Sequence, residues 1–96
     1  MSDITFTWDP AKNTANQRKH GVAFEEAQTV FLDENAQFME DPDHSLEEER
    51  FLLLGLSASL RMLVVCHCYR ECDELIRIIS ARRAAPGETR DYRQGV

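Results

Sequence analysis

Apolar and polar residues alternate with period two at the start of the chain, and the spacing then becomes helical. Ile4-Thr5-Phe6-Thr7-Trp8 reads as a half-buried strand. Asp9-Pro10 closes it and opens a helix. The Asp9 carboxylate can accept from free first-turn amides, and Pro10 at the first helical position lacks only an N–H that would have no helical partner. The helix is expected to reach about His20, with Gly21 as a left-handed stop. Ala11 and Ala15 are the only apolar residues in its middle, which predicts a mostly wet surface. Phe24, Ala27, Val30 and Phe31 then share one helical stripe, so a second helix is expected from Phe24 to about Phe31. Glu25 and Glu26 sit in its positive first turn.

After Asp33-Glu34-Asn35 the pattern is one of short strands: about Gln37 to Asp41, Arg50 to Leu56, Met62 to Tyr69 and Leu75 to Arg82. Turn residues such as Asp41-Pro42-Asp43 link them, and short links predict an antiparallel meander. Pro86-Gly87 ends the last strand, and Glu88 to Arg93 forms a short helix with Tyr92 inward. The expected fold class is α+β. A mostly antiparallel sheet of about five strands has the order β-α-α-β-β-β-β-α, with helices packed on one face.

Ninety-six residues make one domain, 1–96, with one core. The longest apolar run, Phe51 to Leu56, is too short to span a bilayer, and Met1-Ser2-Asp3 does not start like a signal peptide. Three cysteines are an odd set and argue against a secreted disulfide framework, so a cytoplasmic location is expected. The net charge of −6 argues against a general nucleic-acid binder. That charge is unevenly distributed. Between His20 and Arg50 there is no Lys or Arg but ten Asp and Glu residues, while Arg18-Lys19 and arginines 77, 82, 83, 90 and 93 flank the block. The acidic tract can serve as a solvated face or as a docking surface for a basic partner.

Arg77 is set into the β-branched run Leu75 to Ser80, where a guanidinium must be exposed on one face or paired with an anion. Arg82 and Arg83 follow at the strand's end, and several planar, permanently charged forks near a sheet suit a phosphate-binding surface. Cys66-His67-Cys68 with Cys72 and His44 invites a zinc reading. Strand alternation sends the two thiols and the imidazole to opposite faces, however, which favours small buried thiols over a metal site.

Some of these residues form a familiar series. Trp8-Asp9-Pro10 with Lys12 and Asn16 is followed by Lys19-His20-Gly21-Val22, Phe24-Glu25-Glu26-Ala27, Val30-Phe31 and Asp33. Then come Asp41 and His44, Glu49-Arg50, Gly55, Arg61, Leu63-Val64-Val65, Arg70, and Ile76 through Ala84 with Glu88 and Tyr92. The chain resembles the BrnT-type toxins of bacterial type II toxin–antitoxin modules over nearly its whole length. The resemblance implies a compact RelE-like ribonuclease fold and RNA cleavage that arrests translation, with no cofactor. It also implies a cognate antitoxin with a ribbon-helix-helix DNA-binding part. Operator DNA would be contacted only through that antitoxin, in a heterotetramer of two toxins and two antitoxins, away from any membrane. A rival reading is an inactive interaction module that regulates a DNA-binding partner.

Metal-free RNA cleavage needs a base for the 2′-hydroxyl, cations for the phosphorane and an acid for the leaving 5′-oxygen. Arg61, Arg77 and Arg82 are the candidate clamps. Arg77 and Arg82 are five apart, so a regular strand turns them to opposite faces unless it bends near Ser80-Ala81, and Arg83 shares Arg77's parity. Arg77 could instead pair with a carboxylate such as Glu49. Lys19 and His20 lie at a helix C-terminus, where the dipole favours cations; they are either a basic cap or, with His20 as general acid, part of the site. His67, Glu49 and Tyr92 are each possible bases. Trp8 can stack on a base or belong to the core margin, and Arg83 and Tyr92 are candidate substrate contacts.

Overall fold

The computed structural model describes residues 4–42, 49–71 and 74–95. The strands are β1 (Thr5–Thr7), β2 (Gln37–Glu40), β3 (Phe51–Leu56), β4 (Met62–Arg70) and β5 (Leu75–Arg83). They form one mixed sheet in the order β1-β5-β4-β3-β2. The meander β2 to β5 is antiparallel, as the short links require, whereas β1 pairs parallel with β5 through Thr5–Leu75, Phe6–Ile76 and Thr7–Arg77. The helices between β1 and the meander supply the crossover that a parallel pair needs. His44 and Cys72, which the disfavoured zinc reading would also need, lie outside the described residues.

Helix α1 (Pro10–His20) begins and ends as its sequence dictates. The Asp9 carboxylate accepts from the Ala11 amide at 2.8 Å, and Gly21, with φ 70°, donates to the Gln17 carbonyl at 2.9 Å. Helix α2 is only Phe24–Ala27 and continues as a 3-10 helix, Gln28–Leu32. With Val22 just ahead of them, they bury Phe24, Ala27 and Val30 against Leu53, Leu63, Val65, Ile78 and Ala81 on one face of the sheet. Gly55 lies where the 3-10 helix crosses β3, and a Cβ there would stand 2.9 Å from Val30 Cγ1.

The helices do not all pack on one face as expected: the C-terminal helix α3 (Pro86–Gln94) is tied to the other one. Gln37 pairs with Leu54 and so turns away from the core residue Leu53; its amide donates to the Asp91 and Tyr92 carbonyls at 3.2 and 3.3 Å. The Tyr92 hydroxyl donates to Asp33 Oδ2 at 2.8 Å, and the same oxygen accepts from the Leu56 amide at 2.8 Å. Tyr92 therefore fastens α3 across the end of the sheet.

α1 docks through polar side chains. Ala11 and Ala15 are exposed, and the buried positions are Asn13 and Asn16. β1 covers β5 only as far as Arg77, leaving the later part of that strand edge without a strand partner among the described residues. Asn16 covers the gap. Its carbonyl accepts from the Ala81 amide at 3.1 Å, and its NH₂ donates to the Ala81 and Val22 carbonyls, both at 2.8 Å. One side chain thus takes the place of a neighbouring strand, as buried backbone groups require. Asn13 does the same for α2: its carbonyl accepts from the Phe24 amide at 2.9 Å while its NH₂ donates to Glu25 at 2.9 Å.

His67 is fully buried on the core face, ringed by Phe31, Phe38, Phe51 and Tyr69 with centroids 4.8 to 6.2 Å from its own. Nδ1 lies 3.1 Å from the Val65 carbonyl, and Nε2 has no hydrogen-bond partner among the described residues. Burial pushes its pKa below the ordinary 6.5, with the Val65 contact opposing. The unfolded chain therefore takes up this proton first, and stability is lost as the pH falls below about 6.5. Thermal melts should show a decline approaching about 1.4 kcal/mol per pH unit, and His67→Leu should remove that component. An unchanged pH slope in the variant would refute the assignment.

Candidate active site

A β-bulge decides where the arginines point. His67 pairs with Ile78 and Cys66 with Ser80, so Ile79 is an extra residue in β5. Arg77 thus lies opposite Cys68 and Arg82 opposite Val64, which are four apart on β4 and share the face away from the core. The irregularity that a shared face requires is the extra residue Ile79, just before Ser80. It also reverses the parity of Arg83, which lies opposite Leu63 on the core face and no longer shares Arg77's side.

The cations divide into two groups. The first centres on Glu26 of α2. Arg61 Nε donates to Glu26 Oε2 at 2.9 Å and Arg61 Nη2 to Glu26 Oε1, making a bidentate pair. Nη2 also donates to the Gly21 carbonyl at 3.1 Å, bringing the fork to the residue that follows Lys19-His20. The β3–β4 turn presents Arg61: its chain closes through Ser57 N to Arg61 O at 2.9 Å, with Leu60 at φ 63°. Ser57 Oγ donates to Glu26 Oε2 at 2.7 Å and accepts from the Arg61 amide at 3.3 Å. The Arg61 hydrogen bonds hold the Glu26 carboxyl below its ordinary 4.5 against the effect of burial, helped by Ser57 and by the charge of Arg83. Glu26 is therefore an ionised acceptor held at the junction of α1, α2 and the sheet.

The second group lies on the opposite face. Arg82 forms a bidentate pair with Glu88 at 2.7 and 2.9 Å, and Glu88 also accepts from the Ala85 amide at 2.8 Å. Arg82 is the main reason the Glu88 carboxyl is pushed down to about 2. Arg77 is half-buried beside Thr7, and no carboxylate pairs with it among the described residues. In particular, it makes no pair with Glu49, which is exposed.

Other candidates are placed by packing. Trp8 is half-buried against the core, edge-on to Phe24 with centroids 6.0 Å apart. His67 is sealed from solvent, which removes it as a base for an external substrate. Cys66 and Cys68 are buried on the face opposite His67, and burial is the main reason the Cys66 thiol is pushed up to about 11. No group of three metal-ligating side chains occurs among the described residues. No helix among them is long and apolar enough to cross a membrane. Sequence reasoning missed Glu26, because its partners Ser57 and Arg61 are more than thirty residues away and its place in a first turn already had an explanation.

A mixed sheet with three helices among the described residues agrees with what the comparisons find. Residues 8–88 match the family model described as the ribonuclease toxin, BrnT, of type II toxin–antitoxin systems. The chain belongs to that BrnT toxin family. In fold it is similar to the crystal structure of the Brucella abortus ribonuclease toxin, BrnT, with a TM-score of 0.61 and 23% identity over 88% of this chain and 99% of that one. A comparison with curated proteins gives no match.

Proposed function

We propose that the chain is a metal-independent endoribonuclease whose chemistry is performed by the cluster around Glu26, and that its cleavage of RNA arrests translation. The observation that carries this reading is the Glu26–Ser57–Arg61 arrangement, bonded to the Gly21 carbonyl immediately after Lys19-His20. Those residue types supply the three requirements of cleavage through the 2′-hydroxyl. Glu26 accepts the 2′-hydroxyl proton as O2′ attacks phosphorus. Arg61, Arg83 and Lys19 stabilise the charge that collects on the phosphorane oxygens. His20 gives a proton to the departing 5′-oxygen, leaving a 2′,3′-cyclic phosphate and a 5′-hydroxyl. Arg77 and Arg82 lie on the other face, where they bind RNA backbone outside the reacting centre. Trp8 packs on Phe24 and Tyr92 holds α3 in place, and neither takes part in a step.

The family's toxin–antitoxin setting implies an antitoxin partner. On this reading it is a ribbon-helix-helix protein, bound two to two, and it alone touches operator DNA. The test is purified chain with total RNA in excess EDTA. The wild-type chain should cleave, Arg61→Ala should slow cleavage about a hundredfold or more, and Arg77→Ala should retain most of the chemistry. RNA left intact by the wild-type chain, with translating ribosomes as well as without, overturns the reading.

A further inference from the structure

β2 is the last strand of the sheet, and among the described residues nothing pairs with its outer edge. The Asp41 amide donates inward to the Arg50 carbonyl at 3.0 Å. N–H and C=O groups alternate sides along an antiparallel strand, so those of Phe38 and Glu40 point outward, away from β3. Natural edges are usually blunted by lysine, proline or a bulge. This one, Gln37-Phe38-Met39-Glu40, has none of these, and its one charge is Glu40 at its end. It instead shows two large apolar side chains, one to each face: Phe38 is 53% exposed and Met39 41%. Phe38 is held by stacking on Phe51, with centroids 5.0 Å apart. Where β2 ends, Glu40, Glu49, Arg50 and Phe51 line a notch of about 60 Å³, and both glutamates are exposed.

We propose that this edge receives an extended segment of the antitoxin, added as a sixth strand beside β2. The inference rests on the reading above that an antitoxin binds the chain. The segment's backbone would pair with Phe38 and Glu40, its apolar side chains would cover Phe38 and Met39, and a lysine or arginine would sit over Glu40 and Glu49. Charge selects this occupant. A protein that also binds DNA carries cations to offer, whereas a second copy of this chain would bring Gln37-Phe38-Met39-Glu40, which has none.

The test uses the small protein encoded in the adjacent reading frame, co-expressed with the chain and then titrated against it. Glu40→Pro removes an outward N–H and leaves the β3 ladder intact, since Pro is tolerated where the amide faces away. Glu40→Lys reverses the charge at the notch. Each should weaken the complex about tenfold or more while the melting temperature and RNA cleavage of the free chain stay close to wild type. The Glu40→Lys loss should shrink as salt rises. Unchanged affinity in both variants overturns the proposal and leaves the antitoxin reading standing. Failure of the wild-type chain to bind that protein removes both. Self-association of the wild-type chain alone, abolished by Glu40→Pro, assigns the edge to a second copy and overturns the proposal as well.

Discussion

Asn16→Ala should cost about 3 kcal/mol and lower the melting temperature by about 12–20 °C. The substitution removes three short hydrogen bonds, to the Val22 carbonyl and to both backbone groups of Ala81. Val22 is fully buried and Ala81 is 1% exposed, so water reaches the orphaned groups poorly. Each unsatisfied buried group is worth about 1–3 kcal/mol, and limited relaxation of α1 keeps the sum near the lower end. Ala15→Ser, one residue away on the exposed side, should change stability by less than about 0.5 kcal/mol. Asn16→Asp keeps the acceptor for Ala81 N–H and loses both donors, so it should fall at least as far as alanine by placing a carboxylate against two carbonyls. Differential scanning calorimetry of the three variants decides the matter. A loss below about 1 kcal/mol for Asn16→Ala would mean that α1 is held by something other than this side chain.

That prediction comes from the part of the fold that periodicity hides. The ends of α1 were legible, because Asp9-Pro10 and Gly21 act locally on amides and on φ. The face on which α1 docks was not, since reading a helix by its apolar stripe selects Ala11 and Ala15, and the structure exposes both. The meander was legible for the same local reason, its short links allowing little else. The parallel partner of β1 was not, because nothing in Thr5–Thr7 points to a strand seventy residues later. Strand parity correctly showed that Arg77 and Arg82 need an irregularity to share a face. It could not show that a single extra residue, Ile79, provides one and sends Arg83 to the other side. The cations of the candidate site could be read from their residue types, but the carboxylate that organises Arg61 is a long-range contact. The family resemblance included Glu26 without giving it a role.

Glu26→Gln should lower kcat/KM for RNA cleavage by about a hundredfold to ten-thousandfold, since it keeps the side chain's shape and removes its capacity to take a proton. The position also has a structural duty, because Arg61 and Ser57 both bond to it. A loss of activity alone would therefore be ambiguous, and Glu88→Gln supplies the comparison. It weakens another bidentate arginine pair, that with Arg82, on the face away from the proposed chemistry. If Glu26 acts only by holding Arg61, its protonation would release Arg61 and leave an acid limb as well. Arg61→Ala should then match Glu26→Gln both in rate and in losing that limb, whereas Arg61→Ala keeps a limb with Glu26 as the base. If it is the base, cleavage should persist as pH falls through 4.5 and decline only below that value, because Arg61 keeps the carboxylate ionised there. The Glu26→Gln enzyme should lose that limb and retain a low, flat residual rate from the arginines. Glu88→Gln should keep the wild-type profile. Cleavage by Glu26→Gln at the wild-type rate would eliminate Glu26 as the base. Glu49 would then be the next residue to test, because it is exposed whereas Tyr92 is committed to Asp33.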